Sequence, residues 1–263
     1  MVAAALLVAD VLLTCGPLHY HVTSTRALAE RSSRKGLRYK MRARDGVVRG
    51  HATEYLAELE PEELLNDPGP DGRYCAALQL ARSGDPRALP LLIGTLSRGE
   101  PAASAFGVPW MRGVVAQQGA AHALGGYRDD RALTALLTAV EPFRRAVRAE
   151  ERSLGISVVG ALGRYGDARA VPALVDILYR GGDVSTGYVP NTTVLPSVEG
   201  SAVKALAQIG SRDALEALYR LARNGRSCRL LRQAANEGLA QALGSLPDGR
   251  SHRSVPRSNA TRR

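Results

Sequence analysis

Cysteine is scarce in this chain of 263 residues: Cys15, Cys75 and Cys228 are all it has. Three widely spaced thiols make neither a disulfide framework nor a CxxC metal pair. Lysine is as rare, at Lys35, Lys40 and Lys204, so the other 32 basic residues are arginines, a bias that points to a G+C-rich coding sequence. Aromatic residues make up 5% of the chain, with one Trp and two Phe. The five histidines (His19, His21, His51, His122, His252) include no His-Glu dipeptide, and His19-x-His21 alone is two ligands short of a metal site. GxSxG, P-loop and dinucleotide glycine patterns are absent, so the sequence calls for no catalytic residue, no metal and no cofactor.

What is present is positive charge at the ends. The formal charge is +10, yet residues 51–239 carry 21 basic and 21 acidic residues. The excess lies in 1–50, where Arg31, Arg34, Lys35, Arg38, Lys40, Arg42 and Arg44 cluster, and in 240–263. A nucleic-acid grip needs a basic face that neutralises phosphates. Solvated ends are the simpler reading, and nucleic-acid association through the basic termini is the alternative. The tail 245–263, rich in Ser, Pro and Arg, reads as disordered. Val2 to Leu13 is apolar but too short to span a bilayer, lacks a basic leader and is interrupted by Asp10. A short buried helix and a cytoplasmic protein with no membrane span are expected, an export signal or a misassigned start being the other readings of 1–20.

The middle repeats. Ala76 to Leu92 recurs as Val158 to Leu174, as Ala120 to Leu133 and, more worn, as Ala202 to Leu215. Equivalent positions 87, 131, 169 and 213 are 44, 38 and 44 apart. Each unit reads as helix, tight turn, helix. Gly84, Gly166 and Gly210 fall where the first helix must end in a left-handed residue. Asp85, Asp129 and Asp167 suit the N-cap that follows, and Pro90 and Pro172 the second helix's first turn. One such pair cannot bury its own apolar stripe, so neighbours must stack. Arg232 to Gly244 repeats the first-helix pattern alone, as a terminal cap would. His51 to Leu65 is expected to form a preceding helix, and Glu141 to Ser153 a continuous charged one.

Gly-Asp-x-Arg-Ala-Val-Pro-x-Leu at 166–174, with a close copy at 84–92, resembles the HEAT-repeat family, specifically the short bacterial type called the phycobilisome-lyase (PBS lyase) HEAT-like repeat. The resemblance covers about 72–244 and implies a right-handed α-solenoid of about four helical pairs. It further implies a structural ladder of Asp85, Arg87, Asp129, Arg131, Asp167 and Arg169 along the stack, weakening at the fourth unit, where Ser211 and Asp213 stand instead. Some relatives are enzymes. Deoxyhypusine hydroxylases need His-Glu pairs that this chain lacks. A lyase or DNA glycosylase type of activity stays as an alternative, with the neutral middle counting against a glycosylase.

The expected organisation is an N-terminal helix and basic extension (1–50), the solenoid (51–244) and the tail (245–263). Insertions at 97–112 and 181–198 interrupt the stack, and both set an aromatic beside Val and Pro (Val108-Pro109-Trp110; Tyr188-Val189-Pro190). They either cover core or bind, and loop aromatics are typical interface anchors. The function expected is a non-catalytic scaffold that binds a protein partner of unknown identity through its concave face or these loops, with Phe106, Trp110 and Tyr188 as contact residues.

Overall fold

The computed structural model describes residues 25–31, 33–43, 46–98, 112–145, 149–180, 198–225, 227 and 229–244. Helices and turns account for them, with no strand among the described residues. After a helical segment at 25–30 come α1 (Arg34–Lys40), α2 (Gly46–Leu59) and the short α3 (Pro61–Leu64). Four helical pairs follow: α4 (Pro70–Arg82) with α5 (Leu89–Arg98), α6 (Arg112–Leu124) with α7 (Asp130–Val140), α8 (Ala149–Tyr165) with α9 (Val171–Arg180), and α10 (Val198–Ile209) with α11 (Arg212–Arg223). A last helix, α12 (Arg229–Gly244), closes the series. No described helix is long and apolar enough to cross a membrane.

The first helices α4, α6, α8, α10 and α12 each pack on the next, forming one layer. Each second helix also packs on the first helix of the following unit, so α12 covers α11 as the expected cap. This is a helical solenoid, and its buried stripe runs unbroken from Ala77 through Leu124, Leu162 and Leu206 to Ala235. Alanine recurs along the interface because a first helix must approach two neighbours at once.

The turns follow from their residues. Gly84, Gly166 and Gly210 have φ of +73°, +75° and +60°, the left-handed region that a side chain strains. The carboxylates of Asp85, Asp129 and Asp167 then accept the N–H two residues on, at 2.9, 2.9 and 2.8 Å. In the second unit α7 starts at once, whereas the first and third insert one 3₁₀ turn (Pro86–Ala88, Ala168–Ala170) before the α-helix. Pro90 and Pro172 explain the difference. Neither can donate to the carbonyl four residues back, so Pro86 and Ala168 are bonded instead by Leu89 and Val171 in the tighter pattern. The second unit has Thr134 at that position, with its N–H intact.

Two expectations need correction. His51 to Leu65 is not one helix, because α2 starts at Gly46 and breaks at Glu60 (φ −141°, ψ 58°), the residue that Pro61 forces out of helical geometry. The Glu141 to Ser153 stretch is not a continuous helix: Glu141–Arg145 is 3₁₀ and α8 begins at Ala149. Pro142 cannot bond the carbonyl of Thr138, which takes the N–H of Glu141 instead. Residue 50 lies within α2, and Leu37, Ala52, Leu56, Leu64 and Ala76 share a second buried cluster that packs α1 on the helices after it. Its arginines are partly neutralised, Arg34 by Glu60 (2.9 Å) and Arg38 by Glu60 (2.6 Å) and Glu63.

Candidate functional site

The aromatic candidates Phe106, Trp110 and Tyr188 lie outside the described residues, as do His19, His21, Cys228, the apolar 2–13 and the tail. The six Asp and Arg positions are described. Within each unit the Arg returns to its own Asp: Arg87–Asp85 at 2.6 Å, Arg131–Asp129 at 2.8 Å and Arg169–Asp167 at 2.8 Å. The step between units runs from Arg169 to Asp130 (2.7 Å), one residue past Asp129, while Arg87 steps back to Glu62 of α3 (2.9 Å). These arginines hold their carboxyls below the ordinary range, Asp129 at about 2, through side-chain and then backbone hydrogen bonds. In the fourth unit the Ser211 hydroxyl caps α11 by accepting from Ala214 N (3.3 Å).

A larger open space lies elsewhere. A groove of about 630 Å³ crosses the exposed side of the first-helix layer over three consecutive units. Val115, Gln118 and His122 come from α6, Ile156, Ser157 and Arg164 from α8, and Lys204, Ala205 and Gln208 from α10. The repeat register explains the alignment, since His122, Gly160 and Lys204 are equivalent positions of the three units. Gly160 contributes no side chain, so the middle of the groove stays open. Ile156 and Val115 supply its apolar parts.

Its electrostatics are one-sided, because among the described residues no carboxylate lines it. The Arg164 guanidinium donates to the carbonyl of His122 (3.2 Å), one unit away. Partial burial lowers its pKa, though not toward neutrality. Burial first, and Arg164 second, hold the His122 imidazole below its usual value. Nucleophile and base are not paired here: the Ser157 hydroxyl donates to the carbonyl of Ser153 (3.2 Å), not to a histidine. Among the described residues no three His, Cys, Asp or Glu come together as metal ligands would. Cys75, half-buried on α4, has its thiol pushed up to about 12 by burial, which removes the thiolate needed for nucleophilic work. A smaller cavity of about 440 Å³ lies between Ile93, Leu96, Ala135, Ala139, Phe143 and Leu154, with Ser97, Gln117 and Thr138 adding polar groups to its lining.

Sequence reasoning missed the groove because its residues are unremarkable one by one. The available signal was the repeat itself. Read along positions 122, 160 and 204, the units show two basic-type side chains flanking a glycine, with no acid.

A family model for the PBS lyase HEAT-like repeat matches residues 156–179 and 198–224. The matches coincide with the third and fourth helical pairs, the second half of the stack. No curated protein matches the chain.

Proposed function

On the premise that this chain is built from PBS lyase HEAT-like repeats, we propose that it is a non-catalytic scaffold that holds another protein against its helical stack. The observation that carries this reading is the open groove across α6, α8 and α10, which lines up equivalent positions of three units without assembling a nucleophile and base. A solenoid exposes a surface that grows with each unit added, and such surfaces suit extended partners. Phe106, Trp110 and Tyr188 remain proposed as further contacts from the insertions.

The test is site-specific photocrosslinking in the source cells. A photoreactive residue replaces Val115 in the groove or Tyr219 on α11, both of which are exposed. Discrete protein adducts from either position support a scaffold. Adducts only to nucleic acid, or none from both positions, refute it. Binding through the basic termini is tested by retention of DNA and RNA across salt, where steep salt dependence that needs residues 1–50 or 245–263 would favour that alternative.

A further inference from the structure

We propose that the groove across α6, α8 and α10 seats an extended acidic segment of the partner, with apolar side chains spaced between its carboxylates. This rests on the scaffold reading and narrows it to one surface and one chemistry.

The first support is the charge that lines the groove itself, since elsewhere carboxylates meet some arginines while Arg73 and Arg128 meet backbone carbonyls as Arg164 does. Arg34 and Arg38 are met by Glu60, Arg87 by Asp85 and Glu62, and Arg169 by Asp167 and Asp130. Arg164 donates to a backbone carbonyl, and among the described residues no carboxylate lines the groove beside it or Lys204. Charge complementarity therefore favours an acidic ligand in the groove.

The second support is what accompanies the charge. Val115, Ile156 and Ala205 give the groove apolar surface, and Ser201 and Gln208 add neutral polar groups at its edge. An acidic peptide with interspersed aliphatic residues matches both features. A nucleic-acid strand matches the charge but not the apolar surface. Phosphate binding draws on several cations, and here two are present. Single strands also stack their bases on aromatic side chains, and among the groove's lining residues His122 supplies one ring. Three adjacent helices at about 8–10 Å separation span roughly 20 Å, the length of about six extended residues. The partner element is therefore short.

The probe is a fluorescein-labelled synthetic peptide of Glu-Glu-Leu repeats, titrated with the full chain and followed by anisotropy. A Lys-Lys-Leu peptide and an oligo-dT strand serve as comparisons. The acidic peptide is expected to bind, the basic one not to, and Arg164→Gln/Lys204→Gln to weaken binding at least about tenfold. Arg220→Gln on α11 is expected to leave it unchanged. Because Arg164 also bonds to His122, Lys204→Gln alone is tested with circular dichroism as the check on folding, and it should weaken binding on its own.

The proposal is overturned if the acidic peptide shows no binding at about 1 mM. It is also overturned if the double variant binds like the parent, or if oligo-dT binds more tightly and loses affinity with the same substitutions. Photocrosslinking separates this failure from failure of the scaffold reading. Protein adducts from Val115 that persist in the double variant overturn the acidic segment and leave the scaffold standing. Absence of adducts from both Val115 and Tyr219 overturns the scaffold and this proposal with it.

Discussion

Gly160 and Gly163 lie one helical turn apart on α8, and alanine should move them in opposite directions. A Cβ at 163 would sit 2.8 Å from the Cα of Ala205 and 2.9 Å from its Cβ, both fixed to the neighbouring helix α10. The Gln208 side chain is also in the way but can swing aside. At 160 the nearest atom is the flexible tip of Arg164, 3.9 Å away. Alanine in place of glycine inside a helix contributes about 0.5–1 kcal/mol, and at 160 nothing opposes it. At 163 the same gain is set against overpacking of about 1–3 kcal/mol, leaving a net loss of about 1–2 kcal/mol. The two variants should differ by the overpacking itself, about 1–3 kcal/mol, roughly five- to 150-fold in the unfolding constant. Urea unfolding followed by circular dichroism reads this as midpoints displaced on either side of the parent at constant slope. A Gly163→Ala midpoint at or above the parent's would show that the α8–α10 approach is looser than described and refute the reasoning.

Tyr127 donates to the carbonyl of Asp85 at 2.7 Å, joining the second unit to the first turn, so Tyr127→Phe should cost about 0.5–1.5 kcal/mol in the same assay. Leu206 is fully buried in the long core, and Leu206→Ala should cost about 2–5 kcal/mol by leaving a cavity. Asp129 is held at about 2 by Arg131. A carboxyl depressed on folding stabilises above its unfolded value near 4 and loses that contribution as pH falls toward 2. The melting temperature should therefore hold from pH 7 to 5 and drop between about 4 and 2, with a smaller drop in that window for Asp129→Asn. With its thiol pushed up to about 12, Cys75 should react with a thiol reagent far more slowly in the native state than in urea. That is read in a Cys15→Ser/Cys228→Ser background, and equal rates would contradict the burial.

The repeat made the architecture legible, because its signals were local. Left-handed Gly84, Gly166 and Gly210, capping Asp85, Asp129 and Asp167, and the small-residue stripe act within a few residues of themselves, so spacing alone specified helix, turn, helix. Departures arose where proline chemistry was overlooked. Pro61 and Pro142 each end a helix that the apolar or charged pattern would have continued, and Pro90 and Pro172 convert an α-turn into 3₁₀. The packing of α1 and α2 was hidden for another reason: charge dominates Arg34 to Arg44, while a single leucine, Leu37, carries the burial. The groove depended on residues about 40 apart, visible only once the units are laid side by side.

The joints between units also show why the stack need not be uniform. First to second, the link is a tyrosine to a turn carbonyl and Tyr74 to the carbonyl of Ala116 at 3.0 Å. Second to third, charge enters through Arg169 and Asp130, and Gly125 lies against Ala161, where a Cβ would come within 2.8 Å of its carbonyl oxygen. Third to fourth, the close approach recurs at Gly163 and Ala205, but the Asp–Arg turn pairing ends, with Ser211 and Asp213 in its place. That last joint leans on backbone proximity more than on charge. Salt should therefore loosen the second joint more than the third, since screening weakens Arg169–Asp130 and leaves the contact of Gly163 with Ala205 untouched. Hydrogen exchange at low and high salt resolves the two: faster exchange in α9 with α10 unchanged is the expected pattern, and equal acceleration in both would show that the joints are held by the same forces.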